Sequence, residues 1–253
     1  MIFYMLLQLL IIPPATVVAG LTIIFFSPID PSRRLFPAMA RIWSRILFMT
    51  SGVRVRVHGR QGLHADEPAV FVANHQSLFD PPVLFHAIPS NLRVIAKKSL
   101  FLIPIFGQAL WAAGVIPIDR RDRKRSITSM NKASRKIRSG LSVLVFAEGT
   151  RSRDGHLLPL KKGAFILAIQ AGVPIQPVVI QGSRDVHPPG SIFARPGTVH
   201  VTFLKPVDTS AMTFDDRGRL LDMVAEEMRI ALAKPLPAAG TGRPDDHLAE
   251  PTL

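Results

Sequence analysis

A histidine and an aspartate share the short stretch N-H-Q-S-L-F-D, where His75 and Asp80 stand five positions apart. An aspartate bonded to one imidazole nitrogen fixes the tautomer and raises the basicity of the ring. The other nitrogen can then take a proton from a hydroxyl. On a continuous helix an offset of five separates two side chains by about 140°, since each residue turns about 100°. The pair therefore needs a turn or a helix start. Asp80 followed by Pro81 reads as an N-cap and first helical residue. Ser77 with Asp80 reads alternatively as a capping box. Taken alone, this spacing fits a capping aspartate and a loop histidine better than a catalytic pair.

Three further stretches carry chemistry of a weaker kind. G-V-I-P-I-D-R ends in Asp119 and Arg120, and an arginine at a strand end presents a planar donor fork suited to phosphate. The following basic run, Arg120–Arg125, also fits a solvated helix start. V-F-A-E-G-T-R-S stops an apolar strand abruptly at Glu148. Gly149 then allows close backbone approach, and Thr150, Arg151 and Ser152 offer donors, an arrangement suited to an anion pocket beside one carboxylate. The phosphate-loop spacing G-x-x-x-x-G-K-[ST] is absent, and a polar turn with Glu148 paired to Arg151 is the simpler account. Finally, Val173–Ile180 is apolar with two prolines. Pro177 argues for an edge or a bulge. Val173, Pro174 and Ile175 could line an acyl groove, although core packing is the simpler account.

The elements that must position these residues alternate between strand and helix. Val53–Val57 has period two and reads as an edge strand. Ala69–Asn74, Arg93–Ala96, Gly114–Asp119, Leu141–Ala147, Pro174–Ile180 and Thr198–Leu204 are short and rich in Val and Ile. Helical stretches fall between and after them, at Pro82–Ala87, Ile105–Ala113, Ser126–Ser139, Gly163–Ala171 and Asp215–Leu232. The alternation predicts an α/β fold with a mixed, largely parallel sheet flanked by helices, with sites where strands end.

The N-terminus differs. Met1–Ile29 holds no charged side chain, long enough to cross the hydrocarbon core, and Pro13 and Pro14 interrupt it. A kinked spanning helix, or two short helices dipping into one leaflet, both fit. A cleaved signal peptide fits poorly, with no Lys or Arg before the apolar run. Arg33, Arg34, Arg41 and Arg45 follow, which places the rest of a spanning chain on the cytoplasmic side. Leu35–Phe48 reads as an amphipathic basic helix. Residues 1–50 are thus expected to form a membrane-anchoring helical segment, 51–232 a catalytic domain, and 233–253 a disordered tail.

Composition narrows the partners. The chain is 47% hydrophobic with a formal net charge of +13, which suits an anionic lipid surface. Between Arg93 and Lys162 stand sixteen Lys/Arg and four Asp/Glu. With Tyr 1 and Trp 2, base-stacking platforms are poorly supplied, so nucleic acid is disfavoured. With Cys 0 there is no thiolate metal site and no Cys nucleophile, and the 8 histidines show no metal-ligand spacing.

In this order, NHQSLFD, GVIPIDR, FAEGTRS and VPIQPVV resemble the four blocks of the glycerophospholipid acyltransferases, above all the bacterial 1-acyl-glycerol-3-phosphate acyltransferases. Ala147 stands where that family's third block has proline. The resemblance implies that His75 and Asp80 are the catalytic pair. It also implies that Glu148, Gly149, Thr150 and Arg151, with Arg120, bind the glycerol phosphate of the acceptor. Asn74, Lys97 and Ser152 are further candidates. On this reading His75 deprotonates the free hydroxyl of a lysophospholipid as it attacks an acyl thioester, carried by coenzyme A or acyl carrier protein, with no cofactor or metal. The expected place is the cytoplasmic face of a bacterial inner membrane. The rival expectations are a lyso-aminolipid acceptor and a noncatalytic lipid-binding membrane protein.

Overall fold

The structure is a computed structural model that describes residues 1–63, 67–119 and 123–235, with backbone alone for 123–127. The expected disordered tail beyond residue 235 lies outside the described residues.

Two helices come first, α1 (Ile2–Phe26) and α2 (Leu35–Ser51). Strand β1 (Val53–His58) follows, and β2 (Val70–Ala73) leads into α3 (Asp80–Ala87). Next come β3 (Leu92–Lys97), α4 (Phe106–Ala112), β4 (Ile116–Ile118), α5 (Arg123–Arg138) and β5 (Ser142–Phe146). The chain continues through α6 (Gly163–Ala171), β6 (Ile175–Gln181), the short α7 (Ser183–Val186), β7 (Gly197–Phe203) and α8 (Arg217–Ala233). The strands form one seven-stranded sheet in the order β1-β7-β6-β2-β5-β3-β4. Every neighbouring pair is parallel except β6 with β7. The expected mixed, largely parallel sheet is what forms, and β1 does lie at its edge.

Strand periodicity sorts the core onto two faces. In β2, Phe71 and Ala73 point to the side covered by α1–α4, while Val70 and Val72 point to the side covered by α5, α6 and α8. In β5, Leu144 and Phe146 alternate with Val143 and Val145 in the same way. Both faces are buried, so these strands read as continuous apolar runs.

Pro177 corrects the sequence expectation of an edge or bulge, because β6 is an interior strand. Its carbonyl accepts from Leu204 N–H at 3.0 Å, on the β7 side, and β7 ends at Phe203. The donor that proline lacks would fall just where that ladder stops, so its absence costs little.

The α1 segment also departs from a simple reading of its prolines. It runs as one 25-residue helix through Pro13 and Pro14, not as two short helices. Packing along α2 and α4 stabilises it. Gln8 Nε2 donates to Ala194 O at 3.0 Å and Gln8 Oε1 accepts from Ala194 N at 2.9 Å. Trp43 Nε1 donates to Thr16 Oγ1 at 2.9 Å. At the end of α2, Gly52 adopts φ 68°, and a Cβ there would lie 2.8 Å from the Tyr4 ring. The helix is therefore held to the domain from Tyr4 to Ile23. Its other side leaves Phe3, Leu6, Leu9, Leu10, Val18 and Phe25 exposed.

Candidate active site

His75 leaves the C-terminal end of β2 in the centre of the sheet. The side chain of Asn74 anchors this exit to β6, donating from Nδ2 to Ile180 O at 2.9 Å and accepting from Ile180 N at 2.7 Å. Asn74 is 1% exposed, so it extends the sheet and fixes where the next residue starts.

The loop then folds back on Asp80. Asp80 is the first residue of α3 rather than its N-cap, and it is fully buried. Its Oδ2 accepts from Gln76 N at 2.6 Å and from Ser77 N at 2.8 Å. The bond from Ser77 N is the reciprocal half of a capping box. The same oxygen lies 2.7 Å from His75 Nδ1. An oxygen that already takes two backbone N–H groups meets the imidazole as an acceptor. Nδ1 therefore carries the imidazole proton, and Nε2 keeps its lone pair. Asp80 Oδ1 is buried and has no hydrogen-bond partner among the described residues. Stacking on Phe146, at 4.1 Å between centroids, sets the plane of the imidazole.

Glu148 serves this loop from behind. Oε1 accepts from His75 N at 2.6 Å and Oε2 from Leu158 N at 2.9 Å. Burial pushes its carboxyl up to about 7, against the lowering effect of those two N–H bonds. Each oxygen thus accepts one backbone N–H, and Glu148 forms no ion pair with Arg151 among the described residues. Ser152 is turned inward. Its N–H donates to His75 O at 2.8 Å, and its hydroxyl donates to Asp154 Oδ1 at 2.8 Å. Ser77 offers no nucleophile to His75, because its hydroxyl donates to His187 O at 3.0 Å.

A cavity of about 600 Å³ opens in front of His75. Thr150, Arg151 and Lys97 line it with His75, so three of the expected binding residues meet at one mouth. Its walls are mainly apolar and come from α1, α2, α3 and α4, including Gly20, Met39, Trp43, Phe85 and Leu110. Gly149, just before Thr150, has φ 73°, and a Cβ there would sit 2.6 Å from Lys161 Nζ. The cavity walls were hidden in the sequence, because they are ordinary core-type residues that only tertiary packing brings to His75.

The expected acyl groove at Val173, Pro174 and Ile175 is not part of this cavity. Ile175 is fully buried on the far face of the sheet, and Val173 packs against that same core. Strand alternation carries Ile175 away from His75 into the core of the far face. Arg120 lies outside the described residues.

The acyltransferase family profile matches residues 54–181, which include His75, Asp80, Glu148 and Arg151. Relatives include human 1-acyl-sn-glycerol-3-phosphate acyltransferase alpha, 36% identical over 79% of this chain and 70% of its own length. A chloroplastic 1-acyl-sn-glycerol-3-phosphate acyltransferase of Arabidopsis thaliana is 33% identical over 81% of this chain. The chain spans 55% of that plant protein and 65% of a putative Caenorhabditis elegans relative. Among solved structures, the 1-acyl-sn-glycerophosphate acyltransferase of Thermotoga maritima superposes with a TM-score of 0.78 at 26% identity, over 93% of this chain and 98% of its own.

Proposed function

From the premise that the chain belongs to the acyltransferase family, we propose that it moves a fatty acyl group from an acyl thioester to the sn-2 hydroxyl of lysophosphatidic acid, giving phosphatidic acid. The observation that carries this is the 2.7 Å contact between His75 Nδ1 and Asp80 Oδ2 at the wall of an apolar cavity whose mouth also holds Arg151.

That geometry supports the following course of reaction. With Nδ1–H held by Asp80, His75 Nε2 accepts the proton of the acceptor hydroxyl as its oxygen attacks the thioester carbonyl. Asp80 stabilises the imidazolium that forms, and collapse of the tetrahedral intermediate expels the thiolate, which takes the proton from His75 and leaves the imidazole neutral. General-base help of this kind contributes ~10²–10⁴-fold. The guanidinium of Arg151 suits the acceptor phosphate, and the apolar walls suit an acyl chain. Coenzyme A and acyl carrier protein are both consistent donors.

Substrate of this kind resides in a bilayer, and α1 supplies the attachment. Because α1 is pinned along one side to the domain, we read it as lying in one leaflet with Phe3, Leu6 and Leu10 in the acyl region. The cavity then opens at the depth where a lysophospholipid lies.

The test is acyl transfer from radiolabelled acyl-CoA and acyl carrier protein to lysophosphatidic acid, glycerol 3-phosphate and a lyso-aminolipid, with wild type beside His75→Ala. The expected result is phosphatidic acid from wild type and a loss of about 10²–10⁴-fold in the variant. Product from the lyso-aminolipid alone would keep the mechanism and replace the acceptor. A variant as active as wild type would remove His75 as the base.

A further inference from the structure

A second cavity, of about 830 Å³, opens at the opposite end of the sheet, where β2, β3 and β5 begin. Arg33, Arg34 and Arg41 line it together with Ser32, Asn91 and Ser139. Glu67 is the acidic residue in its described lining. Asp30, close by, is already committed, its carboxylate accepting from Ser32 Oγ at 2.5 Å and from Leu35 N at 2.8 Å. Among the described residues none of the three arginines forms an ion pair with a carboxylate.

The positive charge continues behind the cavity wall. Arg93 is 3% exposed and donates to the carbonyls of Ala113, Leu92 and Arg33 and to the side-chain oxygen of Asn91, with no carboxylate. Burial, and after it the charge of Arg33, brings its pKa down to about 10. Lys136 is lowered in the same way, by burial and then by Arg93 and Arg33. Arg33, whose carbonyl accepts the Arg93 guanidinium at 2.8 Å, stands in the left-handed region at φ 55°. Arg41 gives Nη2 to Pro89 O at 2.7 Å and to Ser90 O at 3.2 Å. Three arginines that line one polar cavity, with no carboxylate paired to them among the described residues, call for an anion with several acceptor oxygens.

The location indicates where that anion comes from. Phe25, Phe26 and Ile29 are 69%, 53% and 73% exposed and immediately precede the arginines in the chain. An apolar edge followed by a basic cleft matches the step from acyl chains to headgroups at a bilayer surface. We propose that this cavity binds the headgroup phosphate of an anionic phospholipid, at a site separate from the one beside His75. It needs α1 at the membrane surface but does not depend on which acceptor His75 serves.

The experiment is native mass spectrometry of the full chain in detergent micelles, titrated with dihexanoyl phosphatidylglycerol, dihexanoyl phosphatidylcholine or inorganic phosphate. Arg151→Ala serves as background, to remove anion binding at the catalytic mouth. One phosphatidylglycerol should remain bound, about tenfold more tightly than phosphatidylcholine. Arg34→Gln/Arg41→Gln should abolish that preference, and Arg34→Lys should keep most of it. Arg34→Gln alone should weaken binding several-fold; its side chain makes no described contact, so the fold is not at stake. Equal binding of the two lipids would overturn the proposal, as would phosphatidylglycerol binding that survives the double substitution. Inorganic phosphate binding as tightly as the lipid would assign the cavity to a free phosphate instead.

Discussion

The two faces of the sheet are built from the same kinds of residue and end in different states. Under α5, α6 and α8 the central side chains are fully buried, with Ile137, Phe165, Leu167 and Leu220 at 0% exposure. Under α1–α4 equally apolar side chains leave a cavity of about 600 Å³ beside His75. The difference lies in what the helices must do. On the closed face they need only exclude water, and close packing does that best. On the open face α1 and α2 stand off far enough to admit a chain, and they carry exposed apolar residues outward as well. Hydrophobic burial thus supplies rigidity on one side and a binding volume on the other.

The strongest way to sharpen this contrast is to cut into the closed face. Phe165→Ala removes a fully buried ring and should lower stability by about 3–5 kcal/mol. Urea unfolding followed by circular dichroism measures that loss. Activity per folded molecule should hold near wild type, since Phe165 lies across the sheet from His75. A large fall in that specific activity would show that the two faces are not separable.

Much of this division was legible in the sequence, for identifiable reasons. Strand and helix alternation is a local signal, and Val70–Ala73 and Ser142–Phe146 carry it in four or five residues each. The approach of His75 to Asp80 was foreseeable because a helix start must bend the chain between them. Contacts made across the sheet were not. The assignment of Val173–Ile175 to an acyl groove failed because an apolar strand looks the same whichever face it serves. At Glu148 a sequence shows a carboxylate but not the two backbone donors that it accepts from. The course of α1 through Pro13 and Pro14 was equally hidden, since its stability comes from Trp43 and Ala194, which lie far along the chain.

Glu148 sits at the seam between the faces and offers a pH-dependent test. Its carboxyl is raised to about 7 from an ordinary 4.5, chiefly by burial. Between those values the folded state binds more protons than the unfolded one. Stability should therefore fall as pH rises from about 4.5 to 7, by at most ~1.4 kcal/mol per pH unit from this group. Glu148→Gln removes the titration, so the difference in stability between wild type and variant should change across that window and level off above it. Thermal unfolding in a pH series checks this. A constant offset at every pH would mean that the two N–H bonds, not burial, control the carboxyl.

The smallest effect on stability, and the finest test of the contrast, comes from adding volume to the open face. Ala40 on α2 lines the cavity and is only partly buried. Overpacking a filled core costs about 1–3 kcal/mol. Here a larger side chain has empty space to enter, so Ala40→Phe should shift the melting temperature by no more than a few degrees. The ring would occupy volume that an acyl chain needs. In competition between long and short acyl donors and acceptors, preference should move several-fold toward the shorter chains. Turnover with the shortest should stay close to wild type, because His75, Asp80 and Arg151 are untouched. Unchanged chain preference would mean that the acyl chain does not run past Ala40. A stability loss as large as that of Phe165→Ala would mean that the open face is closed in solution.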